Sequence, residues 1–511
     1  MDQLPFLEIT ILLPLLGALC VAFLIPKEDE GAVRGATLAT SLVTFVVSLP
    51  LFFAFDAGEG APAFQFVRTL PWLEPFGASF ALGIDGISLL LIVLTTFLMP
   101  IAVLSSWRGI ASGVKSFHVA LLVLEFAMVG VFAARDLLLF FLFWEVMLVP
   151  MFLMIGVWGA EDRVRAAIKF FIYTAVGSLL MLAAIAYVYV VVGGSFDLER
   201  IGGELGRMRA SGELGPGVQF WLCLAFAIAF AIKVPVFPFH TWLPHAHVQA
   251  PTAGSVILAA VLLKMGGYGF LRFCLPLFPA GAHELALVFC VLGAIGVIYG
   301  ALMALAQTDL KRLIAYSSVS HLGLVVLGIF AGLVAVGAEA SPMGHAQGLA
   351  GSVFQMVAHG LSTGALFFLV GAVYDRRHTK KIADLGGLAR PAPVLATCFV
   401  IATLASIALP STAGFVGEIL ILIGVFRSQP LFAVLGITGM VLGAAYMLWA
   451  VQRVYFGPAV GPNREVEDLD GIELTGVVPL LVASFVLGLF PGPFLDRLGP
   501  AIRALVVATG V

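Results

Sequence analysis

Lys233 and Lys264 each lie inside a stretch apolar and long enough to cross a lipid bilayer. Lys264 follows Pro251 by 13 residues and precedes Arg272 by 8, in PTAGSVILAAVLLKMGGYGFLRF. At ~1.5 Å rise per residue it lies on the order of 12–20 Å from either helix end. That is too deep for the lysine stem to return its ammonium comfortably to the headgroups. A charge at that depth is costly unless it is paired, hydrated or deprotonated, and it marks a path for protons or ions. Glu145, in RDLLLFFLFWEVMLVPMFLMIGVW, stands ten residues inside its own span. A carboxylate beside a lysine can stay charged in such surroundings. Glu145 and Lys233 are therefore read as a coupled pair, in which displacing one charge drives a proton on or off the other. A static salt bridge is the plainer alternative, but apolar packing replaces a fixed buried pair easily.

Lys264 has no carboxylate in its own segment or in those next to it in the chain, and a lysine without a fixed counter-ion suits a relay. His321 in LKRLIAYSSVSHLGLVVLG and His359 in FQMVAHGLSTGALFFLVG lie midway through their spans, where imidazole exchanges protons near neutral pH. The hydroxyls of Tyr316, Ser317, Ser318 and Ser320 suggest a hydrated path around His321. Glu418, eight residues past Pro410, supplies a deep carboxylate late in the chain. Glu125 and His240 are weaker candidates. His240, His245 and His247 have a metal-like spacing, but no acidic ligand stands close in sequence. They are read as a wet connection to the relay, and no metal is expected. In chain order Glu145, Lys233, Lys264, His321, His359 and Glu418 could form one polar axis along the membrane plane.

The elements that must position these groups are transmembrane helices. Of 511 residues, 61% are hydrophobic and 11% charged. A soluble chain has about a quarter charged, so this composition belongs to a polytopic membrane protein. A net charge of −3 gives no reason to expect a nucleic-acid partner. The five cysteines are scattered through apolar segments and read as small buried hydrophobes. The N-terminal apolar run lacks a basic flank and carries Asp2 and Glu8, so it is expected to be a retained span.

Apolar runs of about 20 residues give fourteen spans: roughly 4–25, 35–55, 80–105, 116–134, 136–158, 166–193, 218–248, 251–273, 283–306, 311–333, 349–374, 392–427, 430–452 and 472–491. Prolines 235, 238 and 244 break the seventh, and Pro410 with Gly414 breaks the twelfth. Irregular backbone at that depth survives only inside protein or beside a water-filled cavity. Five spans separate the two breaks, an odd number, so the broken helices cross in opposite directions. The arrangement suits two inverted five-helix repeats, 116–273 and 283–456, after an N-terminal three-helix segment, 1–115, and before a last span with a short tail, 457–511. Sixteen Lys and Arg fall on one set of loop edges and nine on the other, the remaining two being Lys233 and Lys264. The richer side is cytoplasmic by the positive-inside rule, which puts both termini outside.

LGIDGISLLLIVLTTFLMPIAVLSSW, LFWEVMLVPMFLMIGVWG, AAIKFFIYTAVGSLLML, KVPVFPFHTWLPHAHVQAPTAGSVILAAVLLKMGGYG and DLKRLIAYSSVSHLG resemble the antiporter-like subunits of respiratory complex I, NADH-quinone oxidoreductase. The likeness spans nearly the whole chain and is greatest to the subunit M branch. Sister subunits L and N carry lysine where Glu418 stands, and L continues into a long lateral helix. The resemblance implies a proton-translocating membrane-arm subunit of fourteen helices with two inverted repeats. It implies Glu145 and Lys233 as the charge pair, Lys264 and His321 as the relay, His359 as a further polar position and Glu418 as the exit. No cofactor is expected here; flavin, iron–sulfur clusters and the quinone site fall to partner subunits, alongside the sister antiporter-like subunits and the lipid bilayer. A bacterial inner membrane is the expected location. Subunits of cation/proton antiporters and of energy-converting hydrogenases share the KVPVFPFHTWLP-type segment and give the alternative reading.

Overall fold

The computed structural model describes residues 5–58, 60–334 and 341–511; Asp2 lies outside them. The helices of the first segment are α1 (Phe6–Leu24), α2 (Glu30–Phe53) and α3 (Gly86–Ser105). Next come α4 (Val114–Ala133), α5 (Leu137–Val146), α6 (Leu148–Trp158), α7 (Arg163–Val191) and α8 (Leu198–Ser211). They are followed by α9 (Pro216–Lys233), α10 (Trp242–Gln249) and α11 (Thr252–Leu277). The second half holds α12 (Pro279–Leu305), α13 (Leu310–Leu333), α14 (Pro342–Arg377), α15 (Pro393–Ser406), α16 (Ala413–Ser428) and α17 (Pro430–Tyr455). It closes with α18 (Gly471–Leu489) and α19 (Gly492–Thr509).

Thirteen helical stretches among the described residues are long and apolar enough to cross a membrane. The fourteenth expected span is the twelfth, divided into α15 and α16. Carboxylates start several helices: Asp85, Asp136, Asp309 and Asp470 each accept a backbone N–H of the following turn. The seventh span breaks after Lys233, where Pro235 and Pro238 remove donors, and the indole of Trp242 donates to the freed Ile232 carbonyl at 2.9 Å. At the second break Ala408 and Ser411 adopt φ of 58° and 84°, left-handed values that cost non-glycine residues ~1–3 kcal/mol each.

Burial sorts the helices. The most apolar stretches of α11 and α14 are wholly buried and that of α13 is 94% buried, against 28–39% for α1, α2, α7, α17 and α18. Lys264, His321 and His359 therefore sit on the three helices most completely wrapped by others.

Three features depart from the sequence reading. Residues 80–84 of the expected third span belong to an antiparallel hairpin, β1 (Gln65–Leu73) with β2 (Ala78–Ile84). It turns at Gly77, whose φ of 65° favours glycine. The fifth span bends at Met147, ahead of Pro150. The tail after the last span is a helix, α19, which crosses one end of the bundle. Its Arg497 donates to the Phe52 carbonyl of α2 at 2.8 Å, and the His283 imidazole of α12 lies 2.9 Å from the Thr509 carbonyl at its far end.

Candidate functional site

Four ionisable groups from four helices meet in one row. Residues Leu258–Leu262 of α11 form a π-turn just before Lys264, and the ammonium reaches back to donate to the Ala259 carbonyl. It also donates to Nδ1 of His359 on α14, at 2.7 Å. The His359 ring faces that of His321 on α13, with centroids 5.6 Å apart. Nδ1 of His321 lies 2.9 Å from Oε1 of Glu418 on α16. Gln355, one helical turn before His359, donates its amide to the same Glu418 oxygen at 3.0 Å. All five side chains are buried. The Nε2 atoms of both imidazoles have no hydrogen-bond partner among the described residues.

Glycine lets α14 and α16 come close enough for this. A Cβ at Gly417 would stand 2.7 Å from the Gln355 Cα, and one at Gly424 would stand 2.4 Å from the Gly348 nitrogen. The resulting order in space, Lys264–His359–His321–Glu418, differs from chain order because His359 falls between Lys264 and His321. Lys264 has no carboxylate partner among the described residues.

Lys233 ends α9 at the first break, and its ammonium stands 5.1 Å from the Trp144 ring and 5.8 Å from that of Phe170. No ion pair within 4.0 Å joins Lys233 and Glu145, so the static salt bridge, the plainer alternative, is not formed. Trp144 turns into the bundle, where its indole donates to Ser178 at 3.1 Å. Successive residues on a helix differ by about 100° in direction, so Glu145 is carried to the half-exposed flank.

The serines near His321 each donate to a backbone carbonyl, which leaves their oxygens free to accept. Ser317 and Ser318 donate to the Ile314 carbonyl and Ser320 to that of Val297. Glu125 is buried in α4 without a partner for either oxygen among the described residues. Its helix packs on α1, α2, α3, α5 and α6 and also meets the Lys264–Gly269 turn of α11, where the Tyr268 hydroxyl donates to the Phe132 carbonyl at 3.2 Å. His240 rests against Phe237 and Tyr299, whereas His247 stacks on Phe367 at 4.4 Å. The two imidazoles thus pack in separate aromatic surroundings, although their spacing in sequence looks like that of ligands.

Three lysines hold the carbonyl ends around α10. Lys169 donates to Thr241 at 2.8 Å, Lys380 to Val248 at 2.6 Å and Lys311 to Ala250 at 2.6 Å. Burial holds Lys380, in the loop after α14, below its ordinary range, with Asp309 and Glu161 opposing that shift. Lys311 and Lys380 line a cavity of about 170 Å³ with Thr252 and Asp375. Two further residues escaped the sequence reading. Asp85 makes a 2.6 Å ion pair with Arg272, buried beside Tyr268 and Ser88, and Gln355 completes the shell of Glu418. The signal for Gln355 was its spacing of four from His359.

A family model described as NADH:quinone oxidoreductase/Mrp antiporter, TM, matches residues 134–443. The NADH-quinone oxidoreductase subunit M of Rhodobacter capsulatus is 45% identical over 98% of this chain and 96% of its own length. The NADH-ubiquinone oxidoreductase chain 4 of Arabidopsis thaliana is 44% identical over 97% and 96%. A chain of the respiratory complex I from Thermus thermophilus with bound NADH superposes with a TM-score of 0.87 at 33% identity, covering 99% of this chain and 100% of that one.

Proposed function

The chain belongs to the NADH:quinone oxidoreductase/Mrp antiporter family, and from that premise we infer that it carries protons through the membrane arm of an NADH:quinone oxidoreductase. The observation that carries this reading is the row Lys264–His359–His321–Glu418, four titratable groups in succession on separate helices. The Lys264 ammonium gives its proton to Nδ1 of His359, and the proton leaves that ring from Nε2. It enters His321 at Nε2 and passes from Nδ1–H to Oε1 of Glu418. Each imidazole has one nitrogen engaged with its flanking group and the other without a protein partner, as a relay of this kind requires.

Protons enter from the cytoplasmic side, where the cavity lined by Thr252, Lys311 and Asp375 lies at the head of α11. Glu418, on the outer half of the second broken helix, releases them outward. Glu145 and Lys233 form a charge couple whose separation sets the protonation of Lys264. The two inverted repeats, 116–273 and 283–456, are supported by the position of one charged residue beside each break, Lys233 and Glu418. Both termini lie outside a bacterial inner membrane. Flavin, iron–sulfur centres and the quinone site reside on partner subunits, and sister antiporter-like subunits flank this one.

The test is His359→Leu in the assembled complex, with pumping followed in inverted vesicles by a pH-sensitive dye. Removal of the central imidazole should abolish most of the proton uptake attributable to this subunit. Wild-type pumping in an assembled variant would overturn the relay.

A further inference from the structure

An apolar groove of about 270 Å³ opens between α2, α3, α14, α18 and α19. Every side chain that lines it is Phe, Leu, Val or Ala. Phe52 and Phe494 stand at one end with ring centroids 5.1 Å apart, and Phe45 and Phe97 lie deeper at 5.5 Å. From Phe53 to Phe45 along α2 is about 12 Å, comparable to the ~15 Å of hydrocarbon in one leaflet. The groove thus has the depth and lining of a slot for one acyl chain.

A fixed cation stands at its mouth. The Arg497 guanidinium lies 3.9 Å from the centroid of the Phe52 ring, held by bonds from Nε to the Phe52 carbonyl and from Nη1 to the Pro493 carbonyl. Among the described residues no carboxylate comes within 4.0 Å of it. An arginine held in place with donors to spare is suited to a phosphate.

We propose that the groove seats one acyl chain of an anionic phospholipid, whose phosphate is held by Arg497. Val357 and Leu361 of α14 form part of the floor and flank His359 in sequence. Leu94 packs against Gly360, so one layer of side chains separates the seated chain from the Lys264–His359 contact. The lipid therefore completes the apolar wall of the relay on the side where the protein alone leaves a slot.

The test uses the whole complex, stripped of lipid in detergent and given phosphatidylglycerol or phosphatidylcholine carrying a photoreactive group in the acyl chain. Labelled peptides are identified by mass spectrometry. Peptides containing Phe97 and Leu487 should be labelled several-fold more by phosphatidylglycerol, because the choline cation of phosphatidylcholine offsets the phosphate charge and is repelled by Arg497. Arg497→Gln should bring the two lipids level while Arg497→Lys keeps most of the difference, and Ala483→Trp, which fills the groove, should remove labelling by both. Equal labelling by both lipids in the wild type, or a preference that survives Arg497→Gln, overturns the proposal. So does wild-type protection of these peptides by a partner subunit. Should Ala483→Trp fail to assemble, the lipid comparison on the wild type and Arg497→Gln still decides.

Discussion

Glu418→Gln removes a charge from the end of the row without removing volume. The carboxylate accepts from His321 at 2.9 Å and from Gln355 at 3.0 Å, and the residue is 2% exposed. A hydrogen bond to a charged group contributes about 1.5–3 kcal/mol and a neutral one about 0.5–1.5 kcal/mol. The exchange therefore costs about 1–1.5 kcal/mol at the His321 contact, close to tenfold in an equilibrium. An amide also cannot bind and release a proton, so transfer out of His321 loses its acceptor as well. Pumping by this subunit should fall by at least about tenfold, while the side chain's shape still allows assembly. Glu418→Asp keeps a titrating carboxylate one methylene farther from His321 and should lose only a few-fold. The assay is dye quenching in inverted vesicles, with assembly checked on native gels. Equal activity of the Asp, Gln and wild-type forms would remove Glu418 from the pathway and leave His321 as the terminal group of the row.

Lys264→Arg should impair pumping nearly as much as Lys264→Ala, because guanidinium does not give up its proton in proteins; full activity of the arginine form would make Lys264 a fixed charge. Lys233→Ala and Glu145→Ala should both assemble yet lose most pumping and coupled quinone reduction, measured in the same vesicles. If Glu145 acts on Lys233 through its charge, Glu145→Asp should be tolerated better than Glu145→Gln, and the reverse order would contradict that role. Asp85→Ala strands the buried Arg272 guanidinium and should destabilise the subunit by about 3–5 kcal/mol, less whatever Tyr268 and Ser88 recover. Thermal unfolding of the complex reads this, and an unchanged Tm for Asp85→Ala would show the pair to be dispensable.

Much of the fold was legible because each span is an apolar run matched to bilayer thickness, and because proline interrupts a helix in a way composition reveals. The hairpin was not: β1 carries Pro71 and exposes Val67, Leu70 and Trp72, so its pattern reads neither as a span nor as a half-buried strand. At the site, Lys264, His321, His359 and Glu418 were identifiable one by one, since an ionisable group amid apolar neighbours stands out. Their partners were not, because contact depends on how helices rotate and cross. Chain order misplaced His359, and the roughly 100° step from Trp144 to Glu145 directs the indole, not the carboxylate, towards Lys233.

The lysines at α10 come from three separate parts of the chain: Lys169 from α7, Lys311 from α13 and Lys380 from the loop beyond α14. One short helix is thereby tethered to both halves of the molecule at once. Each bond from an ammonium to a carbonyl is worth about 1.5–3 kcal/mol, so all three together favour the tethered position by about 4.5–9 kcal/mol and leave a released helix only a minor population. The position of this short helix is thereby fixed jointly by the two halves, so a change in how they pack against each other alters where the segment between Lys233 and Lys264 sits.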